Sequence, residues 1–418
     1  MRFLAYLFVI LVLSPVVPAC AQPAEGRLVL ADLVSEALLS NPDVLAAQRR
    51  YEATRQKPAQ ERVLPDPVVS FGWSSVKYPL PGVGLGSEPM ANIGVMVSQE
   101  FPYPGKLRLR ALIAAKEADA EAQQYRATAL STIARLKQAF YSLAHSYEIT
   151  EVLNRNRDAL RSLLRVTEER YAAGRAAQPD VFRAQTQLTL MEARLAQTSL
   201  EIRTRSAEIN SLLGQPVDSP LVRPEPPHEA LLEFTREELL AKARDAAPSL
   251  AREQIMIERG DSAVHLARKE ASPDLTLNGG FYTMGTMGEL YMLRADVHLP
   301  RRARVRAEVA QRSEELAGAR HSYEAAARSL EYKIQENYEA AQTAQHLADL
   351  YQKTALPQAR LTSESSLLSY ESGSMDFLSV LTNHIAAFEY ELNYHEQLHE
   401  FHLALVRLEE ITGVELIQ

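Results

Sequence analysis

The chain has 418 residues, 46% of them hydrophobic and 23% charged, enough for a folded core and too apolar for wholesale disorder. A formal net charge of −8 argues against a surface built to neutralise nucleic-acid phosphates or to lie on anionic lipid, and a single Cys excludes an intramolecular disulfide framework or a cysteine zinc cluster. Mean hydropathy is −0.20, and no stretch beyond the N-terminus reaches the roughly 18 apolar residues of a spanning helix, so a membrane crossing would have to be made with strands.

Arg2 followed by the apolar run Phe3 to Leu13 and a small-residue border reads as a secretory signal, residues 1–19 or 1–21. Two readings stand for Cys20. Ala19-Cys20-Ala21 fits ordinary cleavage, whereas Val17-Pro18-Ala19-Cys20 is an imperfect lipobox that would make Cys20 a lipid anchor.

The rest of the chain repeats itself. Tyr171-Ala172-Ala173-Gly174 returns as Tyr370-Glu371-Ser372-Gly373, and Gly214 returns as Gly413, both at an offset of 199 residues. Asn41-Pro42 is matched by Ala247-Pro248, Pro65-Asp66 by Pro273-Asp274 and Phe101-Pro102 by Leu299-Pro300, in the same order. A connector at 215–233, with Pro216, Pro220, Pro224, Pro226 and Pro227, is neither helix nor central strand. The chain therefore reads as a tandem duplication, 28–214 and 234–413, with a short tail at 414–418.

Each copy opens with a helix, about 30–64 and 235–271, broken where the Pro starts a fresh turn. Strands of β-favouring residues follow, at about 67–76 and 91–101 in the first copy and about 274–282 and 290–299 in the second. In the last of these Tyr291, Leu293, Ala295, Val297 and Leu299 alternate with Met292, Arg294, Asp296 and His298, one apolar face against one polar face. From Gly105 to Ala173 there is no Pro and no internal Gly, which predicts a single helix about 100 Å long. Such a rod needs a coiled-coil or tubular partner along its side. The second copy, 301–371, carries Pro357, which predicts a kink about four turns before its end. Each rod stops at a Tyr-x-x-Gly and turns back into a further helix, 179–213 or 376–412. Four strands cannot close a transmembrane barrel, so either several chains combine or the sheet is soluble.

The order helix, two strands, very long helix, Tyr-x-x-Gly turn and helix, given twice, resembles the TolC-like outer-membrane efflux proteins over the whole mature chain. Asn41-Pro42, the run Ser98-Gln99-Glu100-Phe101-Pro102-Tyr103-Pro104-Gly105-Lys106, and Tyr171-Ala172-Ala173-Gly174 with Asp180 carry the likeness. The resemblance implies a mainly α fold with a small β part: a homotrimer whose long α-hairpins form a periplasmic α-barrel, capped by a 12-stranded β-barrel in outer-membrane lipid. It also implies a passive, non-enzymatic channel without cofactor, working with a periplasmic adaptor and an inner-membrane RND-type pump. The Phe-Pro-Tyr-Pro-Gly-Lys exit, Pro357 and the short turn Gly373-Ser374-Met375-Asp376-Phe377 look more like the heavy-metal branch, with drug-like molecules as the competing cargo.

In that family the periplasmic tip closes the tunnel, ringed by acids. By resemblance the tip and gate residues are Tyr171, Gly174, Asp180, Tyr370, Gly373 and Asp376; the basic residue some members carry after the second Gly is absent here, so the latch falls to other partners, Arg175 or Arg183, and Ser379 stands where a second acidic ring would be. Asp180 and Asp376 also read as plain N-caps of the helices that follow. Arg294, Asp296 and His298 are expected to line the barrel.

Two motifs offer other chemistry. His395-Glu396-Gln397-Leu398-His399 is an HExxH string, and His402 adds a third imidazole. The equivalent stretch of the first copy has no His and only 19 residues follow, so a solvated helix face or a trimer contact is favoured over protease or metal site. Met284, Met287 and Met292, with Met90 and Met96, crowd the strand hairpins; thioethers suit soft cations, and Met is equally an adaptable filler. A lipid-anchored periplasmic coiled-coil scaffold without a channel is the alternative of another class.

Overall fold

A computed structural model describes residues 26–76, 79–226 and 232–416; the N-terminal leader and Cys20 lie outside them. The first repeat runs α1 (Leu30–Ser40), α2 (Pro42–Thr54), α3 (Lys57–Arg62), β1 (Val68–Ser74), β2 (Asn92–Phe101), α4 (Lys106–Ala172) and α5 (Gln178–Leu212). The second runs α6 (Arg236–Ala246), α7 (Pro248–Lys269), β3 (Asp274–Thr283), β4 (Glu289–His298), α8 (Arg302–Leu350), α9 (Leu356–Ser372) and α10 (Phe377–Thr412).

Asn41 shows why the first helix breaks where it does. It is extended, and its Oδ1 accepts from the backbone N–H groups of Asp43 and Val44 at 2.9 and 3.1 Å, capping α2 as Pro42 begins it. Its Nδ2 donates to the Leu212 carbonyl at 2.8 Å, so the opening of the repeat is fastened to its close. A Cβ on Gly214 would stand 3.0 Å from the Ser40 carbonyl oxygen, and one on Gly413 would stand 3.3 Å from that of Ala246. The closing glycine of each repeat thus lets its own first helix approach.

The rod α4 is 67 residues without interruption. It lies against α5, α7 and α10, and together they bury Leu136, Phe140, Leu143, Ile209, Leu405 and Leu408 in the main core, joined by Leu239 and Ile334 of α6 and α8. Burial of this kind holds a rod that propensity alone would leave fraying. In the second rod the proline coincides with a change of helical winding. Pro357 has no N–H for the Lys353 carbonyl, and the chain absorbs the defect in one π-helical turn, Tyr351–Ala355, between α8 and α9. The connector pairs with the start of the first repeat, Leu28 donating to the Arg223 carbonyl at 3.0 Å and accepting from Glu225 at 3.1 Å.

The four strands form one antiparallel sheet in chain order, leaving β1 and β4 as open edges. Register places Val69, Phe71 and Trp73 beside Val97, Val95 and Ile93, and these beside Gly279, Phe281 and Thr283. Phe281, Gly279, Leu277 and Leu275 continue to Tyr291, Leu293, Ala295 and Val297. One face of the whole sheet is therefore apolar, and it is bare: Phe71 is 81% and Leu293 85% exposed.

Candidate functional site

The two hairpin turns reach the same end of the molecule. In the first, Gly174 has φ +69°, Arg175 N–H donates to the Arg170 carbonyl at 2.7 Å and Gly174 N–H to Tyr171 at 2.9 Å. In the second, Gly373 has φ +86°, and Ser374 and Gly373 donate to Ser369 and Tyr370 at 2.8 and 2.9 Å. Both are Schellman stops, for which a left-handed glycine is the natural residue.

The acids differ from the sequence expectation. Asp376 does cap α10, accepting from Ser379 N–H at 3.0 Å and Ser379 Oγ at 2.6 Å, and these bonds hold its carboxyl below the usual range. Ser379 is thus the partner of the cap. Asp180 caps nothing: the cap position of α5 is Ala177, and Asp180 sits inside the first turn with Arg183 Nη1 3.4 Å from its Oδ1. There it favours the positive end of the helix. Arg183 is committed to its own helix, and Arg175 makes no side-chain hydrogen bond or ion pair among the described residues.

The residue that joins the turns is Arg170, which sequence reading missed. Its Nη1 donates to the Tyr370 carbonyl, and to that of Glu371 at 3.3 Å, while its guanidinium lies 4.5 Å over the Tyr370 ring. Tyr370 is buried, edge-on to Phe377 at 5.9 Å, with its hydroxyl 3.4 Å from Thr167 Oγ1. Tyr171, its counterpart by repeat, is 47% exposed. The asymmetry has a plain cause: at the offset of 199 residues, Arg170 corresponds to Ser369, which cannot reach back. Arg155 to Glu391 at 3.1 Å and Arg194 to Glu389 at 3.1 Å extend the same pattern, with arginines of the first hairpin holding acceptors of the second.

The HExxH string makes a seam, contrary to the solvated face or trimer contact expected. His395 Nδ1 lies 3.2 Å from Glu148 Oε2, His399 stacks on His145 at 4.5 Å, and His402 stacks on Tyr141 at 4.8 Å. Glu396 pairs with His145 Nε2 at 3.3 Å. These three imidazoles are thus spent on three different rungs of α4, and no group of three or more potential ligands converges among the described residues. Burial, then the neighbouring His145, pushes His399 down to about 3.

At the other end, Arg294, Asp296 and His298 occupy the polar face of β4. Arg294 Nη2 and Asn278 Nδ2 reach Asp296 Oδ2 at 3.0 and 2.8 Å. Met96 and Met292 share that face on either side of Gly280, over which the Tyr282 ring lies: a Cβ there would stand 2.8 Å from Tyr282 Cε2. Met90, Met284 and Met287 sit outside the strands. No helix among the described residues is long and apolar enough to cross a membrane.

Residues 33–215 match the family model described as outer membrane efflux protein. The first repeat of this chain is thus similar to that family. The chain's fold is that of VceC from Vibrio cholerae, with a TM-score of 0.78 at 19% identity over 92% of this chain and 96% of that one. The Campylobacter jejuni CmeC outer membrane channel gives 0.77 at 16% identity over 92% and 85%. The open state of the Neisseria gonorrhoeae MtrE outer membrane channel gives 0.75 at 18% identity over 93% and 89%. No curated protein matches the chain. Proteins of that description reside in the outer membrane and extend into the periplasm, and the bare apolar sheet is the part of this chain suited to lipid.

Proposed function

We propose that three copies of this tandemly duplicated chain assemble into a passive conduit from periplasm to exterior, opened by docking to a periplasmic adaptor and an inner-membrane pump. The observation that carries this reading is the four-stranded sheet with one apolar face, one polar face and two open edges, continued directly into rods about 100 Å long. Three such sheets joined edge to edge give 12 strands, which satisfies the edges and meets lipid with Phe71, Trp73 and Leu293. Arg294, Asp296 and His298 then line the lumen. A lipid-anchored scaffold without a channel would leave that apolar face in water.

The tip turns form the gate and the adaptor contact. Arg170 and Tyr370 hold the two hairpins of one chain together, and Asp180 and Asp376, three copies of each around an axis, set a negative field. No step of transport calls for catalysis or a cofactor. Heavy-metal cations are the cargo favoured by the Phe101–Lys106 exit, Pro357 and the short second turn; drug-like molecules are the competing cargo.

Growth of a deletion strain and its complemented twin across copper, silver, zinc, cobalt and cadmium, beside drugs, dyes and detergents, tests the reading. Sensitivity to metals alone supports the cation cargo. Sensitivity to drugs and detergents alone replaces the cargo and keeps the conduit. A deletion strain matching its twin on both panels counts against efflux.

A further inference from the structure

The start of the second rod carries a charge cluster that no ion pair in the fold absorbs. From Leu299 to Ala307 the chain has four arginines, Arg301, Arg302, Arg304 and Arg306, and no acid. All four are exposed and form no ion pair among the described residues. The first rod starts with the same spacing, Lys106, Arg108 and Arg110, but there the charge is largely taken up. Lys106 is buried with Glu270 and Asp274, each at 2.8 Å, and Arg110 reaches Glu270 at 3.4 Å, leaving only Arg108 exposed and unpaired. The acid following the four arginines, Glu308, lines the groove between the rods with Arg110, Arg259 and Arg312. The positive end of α8 itself adds to the cluster.

The position of the cluster says what should neutralise it. It follows directly on the bare apolar face of the sheet, whose last members are Val297 and Leu299, the latter 77% exposed. If the apolar face lies in hydrocarbon, the arginines stand at the depth of the phosphates on the periplasmic side. We propose that Arg301, Arg302, Arg304 and Arg306, with Arg108, form a basic collar that binds the headgroups of anionic phospholipids in the periplasmic leaflet and fixes the depth of the barrel. Guanidinium groups donate bidentately to phosphate, and their stems lie along acyl chains. Anionic lipid attracts such residues at a membrane surface, an attraction that salt screens. The overall charge of −8 conceals this because the acids are elsewhere.

The inference rests on the membrane-spanning reading, and the test separates the two. The full chain is reconstituted into vesicles of phosphatidylethanolamine alone, or with a quarter of phosphatidylglycerol, and three things are read: channel conductance, thermal midpoint, and anionic lipid retained on the extracted protein by native mass spectrometry. Wild type is expected to retain phosphatidylglycerol and to melt several degrees higher in the mixed vesicles, a gain that vanishes at about 1 M salt, where the Debye length is about 3 Å. The variant R301Q/R302Q/R304Q/R306Q is expected to lose both effects while conducting and melting as wild type does in phosphatidylethanolamine alone. The R301K/R302K/R304K/R306K variant is expected to keep both. Retention and melting gain undiminished in the Gln variant would overturn the collar, as would a changed ion selectivity with lipid retention intact, which would place the arginines in the lumen. Failure of all three proteins to insert would overturn the conduit and the collar with it.

Discussion

Arg170 of the first hairpin lays its guanidinium 4.5 Å over the ring of Tyr370 in the second and donates to the same residue's carbonyl. The two turns of one chain are thereby a single unit at the tip. Charged hydrogen bonds and a half-buried cation–π contact together give about 2–4 kcal/mol. Arg170→Ala is expected to loosen the tip, shortening closed dwell times in planar bilayers severalfold and admitting large antibiotics to cells. Tyr370→Phe keeps the ring and the carbonyl, so it is expected to stay near wild type. Equal behaviour of Arg170→Ala and wild type would remove Arg170 from the gate.

The acids at the tip can be separated from their structural role. Asp376→Asn keeps an acceptor for Ser379 N–H and removes the charge, and Asp180→Asn removes the pairing with Arg183 without touching a cap. The double variant is expected to weaken block by multivalent cations while leaving helix content unchanged by circular dichroism. Unchanged block and selectivity would dismiss the carboxylate rings.

Lys106 sits almost fully buried where the first rod leaves the sheet, its Nζ held by Glu270, Asp274 and the Ser272 carbonyl. Asp274 also accepts from Tyr103 N–H at 2.6 Å, so one knot ties α4 to the start of β3. Lys106→Met leaves Asp274 without its cation and Glu270 with only the longer contact to Arg110, and is expected to cost about 3–5 kcal/mol. The triple variant K106M/E270Q/D274N should recover part of that. Denaturant titration of the three proteins in one detergent checks the order.

The seam between α4 and α10 should answer to pH. His399 is held at about 3 in the fold against about 6.5 in the unfolded chain, so the unfolded state takes up the proton first. The stabilisation is whole above about pH 6.5 and is lost as pH falls toward 3, by about 1–2 kcal/mol between pH 7 and 5. Around it stand His145, Glu396, His402 and Arg205, with Glu148 and His395 on the next rung. His399→Leu is expected to flatten that part of the unfolding profile. A profile as steep as wild type would assign the dependence to another group.

Local rules made the fold legible. The absence of Pro and internal Gly between 105 and 173 sufficed for α4, which ends within one residue of the expected place, and the alternation in β4 foretold the two faces of the sheet. Pro357 marked where the second rod is interrupted but not the π-helical turn that precedes it, because how a rod accommodates a missing N–H depends on its neighbours. The tip was harder. Arg170 has nothing local to mark it, since its partner lies 200 residues away and is a backbone carbonyl. Asp180 looked like a cap by composition, but the helix begins two residues before it, at Gln178. The HExxH spacing was read correctly as one face of a helix, yet that face is filled by Tyr141, His145 and Glu148, which no spacing within α10 reveals.

The most direct test of the conduit is the conductance of the purified full chain in planar bilayers whose protein content is verified. Discrete, ohmic steps, with a detergent-extracted mass of three chains behind each, are the expected result. Protein that is present in the bilayer without steps, or that remains an elongated water-soluble monomer, would contradict it.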